Sequence, residues 1–390
     1  MTGMTPAART SAAIQILDAI LNGQRAEAAL FEWGRSSRFA GSGDRHAIRD
    51  LVYQALRRRR SAAWIGGSDT GRGLVLGVLR LEGPAPDTLF TGERFAPEPV
   101  AAHEAGKPLA DAPEPVRLDC PDWLYPEIKA ALGAETEAAL AAGQQRAPVF
   151  LRVNSRRASR FEAEAALGSE EIETRAHPQV ASALEAVSNA RKIQQSVSYT
   201  NGVVELQDAH SQAVTLALGD VSGLRVLDYC AGGGGKSLHL ADLGAEVTAH
   251  DIDPKRMRDL PARAERAGLR VATALTAELA NKPLWPVVLV DAPCSGSGTW
   301  RRDPEGKWAL SAQRLADLTA LQAEILDQTA SYVAPGGRLA FATCSVLDAE
   351  GPDQAASFLA RHPEFSAGPT QRFLPGPEGD GFWISIFTKK

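Results

Sequence analysis

The chain has 390 residues, too many for one ordinary domain, and its 44% hydrophobic and 23% charged residues supply ample material for buried cores. A formal net charge of -5 excludes a protein that coats nucleic acid by bulk charge, so any such contact has to be local. Four cysteines (Cys120, Cys230, Cys294 and Cys344) without a Cys-x-x-Cys pair make neither a disulfide framework nor a zinc cluster, which points to reduced thiols, no metal and a cytoplasmic home.

The first residues lack a basic region followed by a long apolar one. The longest apolar run elsewhere, Leu74–Leu81, is interrupted by Gly77 and Arg80, so neither a signal peptide nor a membrane span is expected. Residues 1–82 read as a small helical bundle. Ala13, Ile14, Leu17, Ile20 and Leu21 share one face after Ser11, with Gly23 as the stop, and Asp44 is placed to cap a helix striped by Ile48, Leu51, Val52, Ala55 and Leu56. Seven prolines between Gly83 and Pro115 bar regular helix, and residues 83–118 read as a linker. Residues 119–218 mix helix-like stretches (Trp123–Leu132, Glu135–Ala142) with β-like ones (Val149–Val153) and read as an ancillary α+β subdomain.

From 219 to 390 strands and helices alternate. Leu224–Tyr229, Glu246–His250, Val287–Val290 and Arg338–Ala342 read as strands, and Lys236–Leu243, Pro254–Ala267 and Gln313–Tyr332 as helices, before a terminal strand in DGFWISIFTKK. That alternation predicts an α/β fold with a largely parallel, Rossmann-like sheet covered on both faces. Ligands collect at the carboxyl edge of such a sheet.

Three segments lie at that edge. DYCAGGGGKS follows the first strand and opens a helix. As a phosphate-gripping P-loop it fails, because Cys230 stands five residues before Gly235, with four between, where glycine is required. As a dinucleotide fingerprint it lacks the third glycine, Ser237 taking that place. S-adenosylmethionine carries no phosphate and asks only for close backbone approach plus a carboxylate after the second strand, and Asp251 closes EVTAHD at a suitable offset. The other two segments, VVLVDAPCSGSG and RLAFATCS, each deliver one thiol, Cys294 and Cys344, from the end of a buried strand. Two thiols beside a nucleotide loop suit covalent catalysis: one adds to carbon 6 of cytosine, making carbon 5 nucleophilic, and the other assists release.

DAPCSGSG with the downstream RRDPEGKW, ATCS after APGGRL, DYCAGGGGKS, APVFLRVN and LQDAHSQ resemble the motifs of RNA cytosine-C5 methyltransferases of the Sun/RsmB type. GDRHAIRDLVYQALRRRR is similar to the NusB-like RNA-binding domain carried by the rRNA enzymes of that group. The resemblance implies a monomer acting on small-subunit rRNA. It makes Cys344 the nucleophile, with Cys294 assisting breakdown of the adduct, Asp291 holding the cytosine edge or the cofactor, and Lys236 stabilising charge on the base. It also implies that Cys230, Ala231, Gly232, Gly233, Gly234, Gly235, Lys236, Asp251 and Asp291 bind S-adenosylmethionine. The chain departs from the family pattern in three places: Gly233 replaces the usual loop proline, Val271–Pro286 holds no Asp for the adenine edge (Thr276 or Glu278 could substitute), and LDAEGPDQ replaces the usual Glu-Asn pair after Cys344.

For phosphate contact the sequence offers Arg57–Arg60, then Arg152, Arg156, Arg157 and Arg160, and then Arg301 and Arg302. Two other classes compete: a ribosome assembly factor that keeps the fold without the activity, and a nucleotide hydrolase using GGGGKS.

Overall fold

Helix formation begins earlier than the apolar spacing implied. In a computed structural model, which describes residues 3–390, α1 spans Pro6–Leu21 because the Thr5 side chain accepts the Ala8 amide hydrogen and Pro6 sits where a missing N–H costs nothing. Helices α2 (Ala26–Ser36), α3 (Ser42–Arg57), α4 (Arg59–Gly66) and α5 (Gly71–Glu82) follow. Asp44 lies inside α3 rather than before it. Its carboxylate reaches back to the amides of Gly41 (3.1 Å) and Met4 (3.2 Å) and pairs with Arg9 (2.8 Å). Ile16, Leu17, Ile48, Val52, Leu74 and Leu76 form the core of the bundle. Helices α4 and α5 touch backbone to backbone, since a Cβ on Gly77 would lie 1.9 Å from the Ala62 carbonyl oxygen.

The stretch read as a linker is packed within this same unit. Its prolines do limit it to short 3-10 turns at Pro86–Thr88, Ala102–Glu104 and Leu109–Asp111. Side chains still dock, because proline removes backbone donors and leaves packing untouched. The Trp64 indole donates to the Pro108 carbonyl at 3.0 Å, and the Arg72 guanidinium holds the Glu104 carboxyl down at about 2.

This first unit extends to Arg146 and also takes in Trp300–Ala309 from far along the chain. The inserted segment caps the end of α3. Lys307 Nζ donates to the Arg57 carbonyl (3.1 Å), Trp308 Nε1 to that of Leu56 (2.6 Å), and Arg57 Nε returns a bond to the Arg301 carbonyl (2.6 Å).

The second unit comprises Ala147–Thr299 and Leu310–Lys390 and contains two sheets. Strands β1 (Val149–Val153), β2 (Thr174–Ala176), β3 (Ala183–Ala186) and β4 (Val204–Leu206) form an antiparallel sheet in the order β2-β3-β1-β4. The larger sheet uses β5 (Arg225–Asp228), β6 (Glu246–His250), β7 (Val271–Ala274), β8 (Trp285–Asp291), β9 (Val333–Thr343), β10 (Phe365–Phe373) and β11 (Phe382–Lys389), ordered β10-β11-β9-β8-β5-β6-β7. From β7 to β9 the pairing is parallel, and β11 runs antiparallel to β9 and β10. Val287–Val290 are buried on both faces, as their unbroken apolar run requires. Neither edge strand was read from the sequence. VATA in β7 is only four residues long with its two middle residues exposed, and β10 contains Gly368 and Pro369, so neither shows an apolar alternation.

Candidate active site

Successive strands leave β5 toward β6 on one side, while β8 lies on the other, so a crevice opens at their carboxyl ends. The glycine loop occupies it. Gly232 and Gly234 hold φ angles of +54° and +79°, and a Cβ on Gly234 would fall 2.4 Å from Leu260 Cδ1, so neither position accepts a side chain cheaply. Gly233, at the place of the missing proline, has its carbonyl gripped by the Arg263 guanidinium, which restrains the turn from outside.

Cys230, Ala231, Gly232, Gly233, Gly235, Lys236, Asp251, Asp291, Cys294 and Cys344 all line one cavity of about 740 Å³. Gly234 does not; it sits against Leu260 and starts the helix Gly235–Asp242. Buried Asp251 accepts from the Gly232 amide (2.9 Å), the Asp253 amide (3.0 Å) and Arg256 (3.1 Å), leaving its carboxylate fixed at the cavity wall. The next residue, Ile252, is exposed on that wall and provides an apolar surface of the kind a purine covers. Thr276 and Glu278 are absent from the wall. Thr276 bonds to His250 Nε2 (2.8 Å), and Glu278 caps its own helix through the Leu275 amide (2.7 Å). A carboxylate, a glycine turn and an apolar shelf in one crevice fit an adenosine carrying no phosphate.

Deeper in the cavity, Lys236 Nζ donates to Asp291 Oδ2 at 2.8 Å and lies 5.1 Å from the centre of the Phe382 ring. Burial opposes the charge on Lys236, but the neighbouring Asp291 carboxylate outweighs it and holds the amine above its ordinary range. Beside this pair, the sulfurs of Cys294 and Cys344 are 3.3 Å apart. The register explains the meeting: Asp291 of β8 pairs with Ala342 of β9, so each strand releases its cysteine a few residues later at the same edge.

The two thiols are driven in opposite directions. A hydrogen bond from Cys294 lowers Cys344, Lys236 and the Thr299 hydroxyl (3.9 Å) add to that, and burial and Asp291 oppose it. The same bond, together with burial, pushes Cys294 well above its ordinary value. Of the two, Cys344 is thus the thiol favoured to ionise first, with Cys294 favoured to keep its proton and donate it. Cys120 is fully buried and pushed up to about 12, which makes it a structural residue, and burial likewise raises Cys230.

Two residues at the site escaped sequence reasoning. Asp228 ends β5 fully buried. It accepts from Ser237 Oγ at 2.5 Å, has one oxygen unpartnered, and is raised by burial to about 7. Glu350, in the turn after Cys344, is buried and accepts from Ser295 and from Gln322 Nε2 (3.1 Å). Acids beside the glycine loop and the second cysteine were the available signal.

Most of the arginines singled out for phosphate contact also hold acceptors of the protein's own, while Arg156, Arg157 and Arg302 stay exposed. Arg58 pairs with Glu82, Arg59 with Asp69 (2.7 Å) and Arg60 with Asp122 (2.7 Å). Arg152 is buried against Asp242, while Arg156, Arg157 and Arg160 donate to backbone carbonyls, and Arg301 is buried. Arg58, Arg59, Arg60 and Arg152 found acidic partners brought close by the fold, which a run of like charges in sequence does not reveal.

Residues 214–387 match the family model described as 16S rRNA methyltransferase RsmB/F, and residues 120–193 match an RsmF/B-like ferredoxin-like domain. Ribosomal RNA small subunit methyltransferase B of Salmonella paratyphi B is 33% identical over 334 residues, covering 82% of this chain and 73% of that protein. The chain belongs to this family. The RsmB relative of Klebsiella pneumoniae is 34% identical over 285 residues, 69% of this chain and 66% of its own, so the chain spans about two thirds of that relative's length. The crystal structure of PH0851 shares the fold, with a TM-score of 0.79 at 23% identity and full coverage of both chains. The ferredoxin-like match takes in β1 to β3 and stops before β4, and the RsmB/F match contains the whole seven-stranded sheet except the last residues of β11. Among the described residues no helix is long and apolar enough to cross a membrane.

Proposed function

We propose that this RsmB/F family member methylates carbon 5 of a cytosine in small-subunit rRNA, using S-adenosylmethionine and a covalent bond from Cys344 to carbon 6. One observation carries the reading: two sulfurs 3.3 Å apart, one lowered and one raised, facing the cavity of the glycine loop and Asp251. Asp251, Ile252 and the Gly232 turn would hold the cofactor, which supplies an electrophilic methyl group for carbon 5 to take.

The protein's own groups perform the remaining steps. Cys344 thiolate adds its electron pair to carbon 6, breaking the 5,6 double bond and placing charge on the base, which the Lys236 ammonium would stabilise. Once Cys344 is a neutral thioether it no longer repels a second negative sulfur. Cys294 can then ionise and remove the carbon 5 proton, and the returning electron pair restores the double bond and expels Cys344 as thiolate. The target base must be unpaired or extruded for this contact.

RNA containing 5-fluorocytosine tests the reading, because fluorine replaces the proton that must leave. A complex stable to denaturant is expected with the intact protein and not with Cys344→Ala. Its absence with the intact protein on small-subunit rRNA would refute the assignment. An assembly factor without activity would leave the paired thiols and the Lys236–Asp291 bridge without purpose, and Cys230 continues to exclude the phosphate-loop reading.

A further inference from the structure

Two Arg-Phe dipeptides, distant in sequence, bring their rings to a single cavity of the first unit. Arg38-Phe39 lies in the turn between α2 and α3, and Arg94-Phe95 in the proline-rich stretch. Phe39 and Phe95 both line a cavity of about 700 Å³, yet they are 74% and 67% exposed. Two large apolar rings left in water around one hollow form an exposed apolar surface of the kind that binding sites present. Phe95 also holds a φ of +68°, a region bulky residues rarely adopt, and its carbonyl is fixed by the Ser11 hydroxyl at 2.8 Å.

The rest of the wall selects the class of partner. Trp33 and Met4 add apolar surface, Gln15 and Ser37 add amide and hydroxyl groups, and no carboxylate is found among the described residues that line the cavity. Each of these rings has an arginine as its chain neighbour: the Arg94 guanidinium lies 4.7 Å from the Phe95 ring centre, and exposed Arg38 directly precedes Phe39 in sequence. A nucleobase has a stacking face for aromatic rings, an edge for amide and hydroxyl groups, and flanking phosphates for guanidinium.

We infer that this cavity takes an unpaired base of the RNA substrate, with Phe39 and Phe95 stacking on it and Arg38 and Arg94 meeting the adjacent phosphates. The inference rests on the RNA methyltransferase reading and adds a grip on the substrate in the helical unit.

The test uses the full chain and a short fluorescent single-stranded oligoribonucleotide of mixed sequence. The Phe39→Ala/Phe95→Ala variant is expected to bind it about tenfold or more weakly, with Phe39→Trp close to the parent. Arg38→Gln/Arg94→Gln is expected to flatten the salt dependence, and photocrosslinks in the parent to fall on residues of this cavity. Calorimetric binding of S-adenosylmethionine and formation of the Cys344 adduct at saturating RNA should be unchanged, which separates loss of this grip from failure of the catalytic reading. Unchanged affinity in the folded phenylalanine variant, an unchanged salt slope in the arginine variant, or crosslinks lying wholly elsewhere would overturn the inference. So would a parent protein that binds no RNA, which would take the proposed function with it.

Discussion

The carboxylate of Glu350, six residues beyond Cys344, accepts both the backbone N–H (2.8 Å) and the hydroxyl (2.5 Å) of Ser295, the residue after Cys294. One buried acid thus ties together the two loops that carry the thiols. The following residue, Gly351, leaves room for the Trp383 ring, which a Cβ there would approach at 2.9 Å.

Glu350→Gln weakens a charge-assisted bond worth about 1.5–3 kcal/mol and loosens the Cys294 loop. Adduct formation should persist while its resolution slows by about tenfold. Single-turnover rates of adduct growth and decay check this split, and equal slowing of both phases would contradict the positioning role.

The sulfur pair sets two opposite mutant phenotypes. Cys344→Ala should abolish adduct and product while leaving S-adenosylmethionine affinity nearly unchanged. Cys294→Ala should form adduct more slowly and retain it, so that denaturing gels show RNA-bound protein with normal cytosine. Normal turnover by Cys294→Ala would remove that residue from the mechanism.

The reactivity of Cys344 should follow its neighbours. Cys294 donates the principal bond that lowers this thiol, and Lys236 adds attraction for the thiolate. The pH midpoint for alkylation of Cys344 by iodoacetamide, read by mass spectrometry, should move upward in Cys294→Ala and in Lys236→Met. Asp291→Asn should move it downward, because the carboxylate opposes the thiolate.

Asp228 should make the ligand-free protein lose stability as pH rises. Burial lifts its carboxyl to about 7 from an ordinary value of about 3.9, so the native state binds the proton more tightly than the unfolded chain. The resulting stabilisation is complete below the unfolded pKa and disappears as pH climbs to the folded one. Asp228→Asn removes this dependence and can still accept from Ser237. Its Tm should exceed that of the parent above pH ~7, with the gap closing below pH ~4, as followed by scanning calorimetry.

What could be read from residues alone was whatever depends on near neighbours. The unbroken run Val287–Val290 demanded a strand buried on both faces, the glycines after Asp228 demanded a tight turn, and Cys294 and Cys344 each stood shortly past a strand end. The tertiary structure alone decided the features set by partners distant in sequence. It spent Arg58, Arg59 and Arg60 on Glu82, Asp69 and Asp122 and packed the proline-rich stretch through Glu104 and Arg72. It inserted Trp300–Ala309 into the helical unit and aimed Glu350 at Ser295. Burial and hydrogen bonding at those positions are properties of folded neighbours, and no local pattern of residue types encodes which neighbours will meet.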